Sequence, residues 1–172
     1  MQHANLNIQI REATKNDMKI VHTLAHTIWP TTYKEILTVP QLEYMLKLIY
    51  SESSLKKQFE QGHNFLIVEE DKKPIAFADY NQLKDDVYKL QKIYVLPDQQ
   101  GKSIGKLLIN YVIEKVRAKG ATVLLLNVNR NNKAKQFYEH LGFKIIGEED
   151  IDIGEGYFMN DYVMKYDVGS KR

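Results

Sequence analysis

An α+β fold is what this chain of 172 residues predicts, a single domain (1–172) with a mixed, mostly antiparallel central sheet flanked by helices. Three observations carry that expectation. Alternating or continuous apolar runs at 65–69, 75–80 and 87–96 lie close enough together to form a strand meander. The last of them passes through Pro97 into a glycine-containing loop, which opens straight into an amphipathic helix. A strand, helix, strand order then repeats over 122–147, so strands and helices alternate in the second half.

Taken in order, 6–11 alternates, with Leu6, Ile8 and Ile10 on one face, and reads as a first strand. Thr14-x-x-Asp17 has the form of a capping box. Val21, Leu24, Ala25 and Ile28 stripe the helix that follows, which Pro30 is expected to stop. Thr38-x-x-Gln41, with Pro40 in the first turn, opens a second helix whose buried face is Leu42, Met45, Leu46 and Ile49. A third, short helix is expected around 54–61, ending at Gly62. The strands at 65–69 and 75–80 are joined by a turn through Asp71 and Pro74, and 87–96 completes the meander.

The helix from Ile104 carries Ile104, Leu107, Leu108, Tyr111, Val112 and Val116 on one 3.6-residue stripe, and Gly120 is placed to end it. Strands follow at 122–128, 143–147 and 157–166, with a helix near 134–141 that Asn131 caps and Gly142 terminates. Residues 169–172 read as a frayed tail.

Size and composition narrow the function classes. A chain this long buries roughly 70% of its unfolded surface. Hydrophobic content is 44%, charged content 27% and net charge +2, so nothing in the bulk charge calls for nucleic acid or a membrane surface. With no cysteine there is neither a disulfide nor a thiol nucleophile. The start lacks a signal-like apolar run, no stretch reaches the roughly 20 apolar residues of a membrane span, and the cytoplasm is the expected compartment. His22 and His26 stand at i, i+4, but no third ligand completes a metal set, and no metal is expected.

The chemistry concentrates at 93–106. Main-chain amides of a glycine loop and the positive end of a helix form an anion site, and glycine admits a phosphate where a Cβ would intrude. Gly101-Lys102-Ser103 is not the end of a nucleotide P-loop, because Leu96 stands where that motif needs its first glycine. No GxGxxG fingerprint is present. The segment Gln100-Gly101-Lys102-Ser103-Ile104-Gly105 resembles the pyrophosphate loop of the GNAT superfamily of N-acetyltransferases, (Gln/Arg)-x-x-Gly-x-(Gly/Ala), with Ser103 replacing the central glycine. A second segment strengthens the resemblance: Asn131, Ala134, Phe137, Tyr138, Gly142 and Phe143 match the superfamily's Asn-x-x-Ala-x-x-(Phe/Leu)-Tyr-x-x-x-Gly-Phe. The likeness spans most of the chain and is most specific over 87–147.

The resemblance implies acetyl-CoA as co-substrate and an N-acetyltransferase that moves the acetyl group to a primary amine. It implies that the main chain of Ile93, Tyr94 and Val95 pairs with the pantetheine arm. Gln100, Gly101, Lys102, Ser103, Ile104, Gly105 and Lys106, with Asn131 and Lys133, would then hold the phosphates, and Arg130 is a weaker candidate. Tyr138 would protonate the departing thiolate; as a plain residue on an apolar helix face it also reads as core. Gln91 stands where many relatives carry a glutamate base, so the base is open. Trp29, Tyr33 and Asp79 are candidates for the acceptor wall, and this region together with 157–162 resembles the polyamine (spermidine/spermine) branch. The acidic run 148–152 suits a cationic amine but also suits a solvated turn. A protein or peptide N-terminal acetyltransferase and a silent CoA-binding sensor are the alternatives, and a homodimer is the default assembly.

Overall fold

In a computed structural model, which describes residues 7–169, the elements alternate as expected. They are β1 (Ile8–Glu12), α1 (Met18–Thr32), α2 (Val39–Tyr50), α3 (Glu52–Glu60), β2 (Asn64–Glu70), β3 (Lys73–Lys84), β4 (Val87–Val95), α4 (Ile104–Ala118), β5 (Val123–Asn129), α5 (Ala134–His140), β6 (Lys144–Gly154) and β7 (Tyr157–Asp167). The seven strands form one sheet in the order β1-β2-β3-β4-β5-β7-β6. Pairs β1–β2, β2–β3, β5–β7 and β6–β7 are antiparallel, while β4 and β5 run parallel over Val87–Leu90 and Val123–Leu126. The fold is therefore α+β with a mixed, mostly antiparallel sheet. Leu6 and the tail at 170–172 lie outside the described residues.

By compactness the chain divides into two units: residues up to Tyr80 with Lys92–Leu108, and Asn81–Gln91 with residues from Ile109 onward. In the first, Met18, Val21, Leu24, Ala25 and Ile28 of α1 and Leu55 of α3 are buried, as are the unbroken runs 65–68 of β2 and 75–78 of β3. Four consecutive buried residues mean that both faces of each strand are covered. Thr14 N–H donates to the Asp17 carboxylate at 2.7 Å, the expected capping box. Gln41 N–H donates to Thr38 Oγ1 at 3.3 Å and Pro40 sits in the first turn of α2. Pro30 does not stop α1; it lies inside it, and the helix runs to Thr32 with Tyr33 N–H bonded to Trp29 O at 2.9 Å. So near the C-terminus a proline forfeits one bond to the preceding turn without preventing the next.

In the second unit, Val112, Ile113, Val116, Leu124, Leu126, Val128, Phe143 and Met164 are buried. Leu107, expected on the buried stripe of α4, is exposed, and Ile109 and Ile113 are buried. The acidic run 148–152 is strand, not turn: β6 reaches Gly154 by pairing with β7, from Lys144↔Lys165 to Gly154↔Tyr157. It closes one edge of the sheet, where carboxylates discourage further strand pairing. Asn131 does not cap α5; Asn132 Oδ1 accepts from Ala134 N–H at 2.9 Å, one residue closer to the helix, and Asn129 Oδ1 accepts from Asn131 N–H at 2.8 Å. No described helix is long and apolar enough to cross a membrane.

Candidate active site

In the first unit, β4 leads into a short 3₁₀ turn at Pro97–Gln99 and then the loop. Gly101 has φ +88° and Ser103 φ +64°, so the chain turns left-handed twice within three residues before α4 begins at Ile104. Glycine enters that region freely, whereas a serine there is strained. The first N–H groups of a helix lack intrahelical acceptors, so this loop delivers amides and a positive helix end together. Around it, Gln100 Nε2 donates to Val95 O at 3.3 Å, and Lys102 Nζ donates to Gln99 Oε1 at 2.9 Å and lies 3.7 Å from Glu70. Lys102 and Lys106 are exposed, Gly105 is the second residue of α4 and half-buried, and Ile104 is buried and anchors the start of the helix. Ile93, Tyr94 and Val95 are half-buried strand residues, and Leu96 N–H donates to Ile75 O.

Beside the end of β4, still in the first unit, stands an aromatic cluster. Trp29 lies 4.5 Å from Tyr33, 5.3 Å from Tyr50 and 5.7 Å from Tyr94 between ring centroids. Hydroxyls of Tyr33 and Tyr94 are 2.8 Å apart. Trp29 and Tyr33 are thus core-packed as well as candidates for a wall, and burial pushes the Tyr50 phenol well above its usual range.

Asp79 is fully buried. Its Oδ2 accepts from Lys92 Nζ at 2.9 Å and lies 2.6 Å from His63 Nδ1. Lys92, itself buried, also donates to Gln58 Oε1 at 2.6 Å and sits 5.8 Å and 5.5 Å from the centroids of Tyr50 and Phe65. Sequence reasoning missed His63, Gln58 and Lys92. The last was legible as a lysine on the buried step of an alternating strand, after Tyr88 and Leu90; His63 carries no local signal.

The remaining candidates belong to the second unit. Tyr138 is buried on α5, between the rings of Phe137 at 5.4 Å and Phe143 at 5.9 Å. Asn131 and Lys133 are exposed before α5. Arg130 is held by acids: it pairs with Asp150 at 2.5 Å and Glu148 at 3.6 Å, and donates to Asp161 O at 3.1 Å. Asn127 Nδ2 bridges Glu149 (2.9 Å) and Asp161 (3.2 Å), and burial pushes the Asp161 carboxyl up. Gln91 Nε2 donates to Asn81 Oδ1 at 2.9 Å. His22 and His26 stack at 4.0 Å, and no group of three metal-ligating side chains occurs among the described residues.

A mixed seven-stranded sheet of this order, with a left-handed glycine loop feeding a helix start, sets the class of fold and offers main-chain amides to an anion. The chain belongs to the acetyltransferase (GNAT) family, whose model matches residues 22–143. A spermidine N(1)-acetyltransferase of Thermoplasma acidophilum is 26% identical over 160 residues, covering 90% of this chain and 96% of that protein. A [ribosomal protein bS18]-alanine N-acetyltransferase of Haemophilus influenzae is 33% identical over 100 residues, 57% of this chain and 64% of that one. Among solved structures, the PaiA N-acetyltransferase of T. acidophilum in complex with coenzyme A superposes with a TM-score of 0.79 at 26% identity, covering 94% of this chain and 99% of that one. Matches to two of the curated relatives span only 42% and 64% of those proteins' lengths.

Proposed function

We propose that this protein transfers the acetyl group of acetyl-CoA to the primary amine of a polyamine or another small cationic amine. The observation that carries the reading is the loop at 97–106, where two left-handed residues, Gly101 and Ser103, turn the chain into the start of α4. Coenzyme A in the PaiA complex and the family match support its use for a diphosphate. Amides of 101–106, with Gln100, Lys102 and Lys106, would hold that diphosphate, and Asn131 and Lys133 would serve the remaining phosphate. The main chain of Ile93, Tyr94 and Val95 would receive the pantetheine arm.

The reaction is attack of a neutral amine on a thioester carbonyl. An alkylamine titrates near 10.4, so deprotonation at neutral pH asks for roughly 4–5 kcal/mol. The departing thiolate gains from a positioned acid, worth about 10²- to 10⁴-fold, and Tyr138 takes that role by its place in the motif Asn131-x-x-Ala134-x-x-Phe137-Tyr138. Trp29 and Tyr33 would form the acceptor side, with Asp79 contributing through its buried contact to His63. The Thermoplasma spermidine enzyme, matched over nearly its full length, supports a polyamine.

A second acceptor has its own support: the Haemophilus relative acts, by its name, on a ribosomal protein's alanine. Thiol release from acetyl-CoA, followed with spermidine, spermine, simple amines and an alanine-starting peptide, separates the two. Release with polyamines alone is expected. Release with the peptide alone would replace the acceptor, and tight CoA binding without release for any amine would make the protein a sensor of coenzyme A.

A further inference from the structure

A proton must leave the amine as the C–N bond forms, and β4 offers nothing to take it: Val87–Val95 contains no carboxylate and no histidine. We propose that His63 is the proton acceptor for the acetyl-transfer step, oriented by Asp79, which Lys92 locks in place. The inference rests on the acetyl-transfer reading and adds the missing base to it.

The geometry is that of an oriented imidazole. Asp79 Oδ2 is 2.6 Å from His63 Nδ1 and 2.9 Å from Lys92 Nζ. A carboxylate paired with a buried ammonium is ionised and only accepts hydrogen bonds, so the proton of that contact sits on Nδ1. The lone pair of the neutral ring is then confined to Nε2. Asp79 is wholly buried while the His63 side chain keeps 16% of its surface exposed. The ring is therefore held by a buried carboxylate while part of it reaches solvent, the arrangement by which a third group orients a base. Lys92 is itself tied to Gln58 of α3 at 2.6 Å, so α3, β3 and β4 converge on one carboxylate and the loop before β2 brings the imidazole to it. Groups facing His63 are Asp79 from β3, with Lys92 and Gln58 behind it, and the Phe65 ring stacked at 6.2 Å.

A buried structural ion pair would ask for every polar atom to be satisfied. Asp79 Oδ1 is not: it is buried without a hydrogen-bond partner. The Tyr50 ring lies 5.3 Å from Trp29 and under Lys92, whose ammonium bonds Asp79. Through Tyr50 and Trp29 the ion pair connects to Tyr94, on the strand beside which the thioester would lie. In the balanced step the amine nitrogen attacks the acetyl carbon, and the C–S bond breaks. The proton lost by nitrogen passes through water to His63 Nε2, and the thiolate takes a proton from the acid on its own side.

The test is His63→Gln, read on spermidine and the rest of the amine panel by thiol release. Expected are a kcat at least tenfold lower, KM values for acetyl-CoA and amine within about twofold, and recovery of a substantial part of the rate on adding imidazole. Asp79→Asn, which keeps shape and removes the orienting charge, should lower kcat similarly but respond weakly to imidazole. Calorimetric binding of CoA verifies that each variant is folded. Unchanged kcat in His63→Gln overturns the proposal while leaving acetyl transfer standing, as does a loss that imidazole does not relieve in a variant that still binds CoA. A wild type inert towards every amine overturns the transfer reading itself, and this inference with it.

Discussion

Ser103 concentrates the residue-scale argument, because it combines a β-carbon with φ +64° at the turn into α4. A left-handed L-residue costs roughly 1–2 kcal/mol, part of which glycine gives back as extra freedom in the unfolded chain. Ser103→Gly is therefore expected to raise stability by about 0.5–1 kcal/mol in thermal unfolding, with acetyl-CoA bound at least as tightly by calorimetry. Tyr138→Phe addresses the acid: turnover should fall at least tenfold while acetyl-CoA affinity stays nearly constant. At Asp17 the hydrogen bond from Arg11 holds the carboxyl down to about 2, below its ordinary 3.8. A depressed carboxyl stabilises the fold above its unfolded value and loses that stabilisation as pH falls through the folded one. Unfolding temperature should thus drop between about pH 4 and pH 2 more steeply in the wild type than in Asp17→Asn.

At the scale of elements, the α5–β6 turn is the most exacting. Gly142 has φ +106°, and a Cβ there would stand 3.2 Å from the Tyr166 ring, which itself packs 5.3 Å from Phe143. Gly142→Ala should cost about 1–3 kcal/mol, the left-handed penalty plus displacement of that ring, and the measurement is chemical denaturation. The left-handed turn at this glycine, like the caps at Thr14 and Thr38, was legible because a few atoms within four residues decide it, whereas the Tyr166 contact was not. Pro30, Asn131 and the end of β6 were not. Pro30 is tolerated because only one bond of the last turn is lost. The helix-side amide contact passed from Asn131 to Asn132 because the loop winds one residue further than the motif implies. β6 grew to Gly154 because β7 supplied partners for an acidic stretch that looks like a turn when read alone. Cross-strand partners are distant in sequence and leave no trace in a local window.

For the molecule as a whole, the alternation of strands and helices and the two motif segments sufficed for the fold class, since hydrophobic period and glycine placement survive without tertiary knowledge. The candidate site was legible only in part. The loop of Gly101, Ser103 and Gly105 stood out by its likeness to a family motif, whereas the joining of His63, Asp79, Lys92 and Gln58 depends on two strands, the loop before β2 and a helix end meeting over 34 residues of sequence. A buried lysine on an alternating strand is the one hint that was available. The burial of Asp79 against Lys92 was hidden for the same reason. Everything proposed about chemistry depends on main-chain amides after β4 holding the diphosphate of coenzyme A. Titrating acetyl-CoA into the wild type and into Gly101→Val by calorimetry tests that most directly. One-site binding in the wild type, weakened at least tenfold in a Gly101→Val protein that still unfolds cooperatively, is the expected result; equal affinity in the two proteins, or no heat of binding in the wild type, would contradict it.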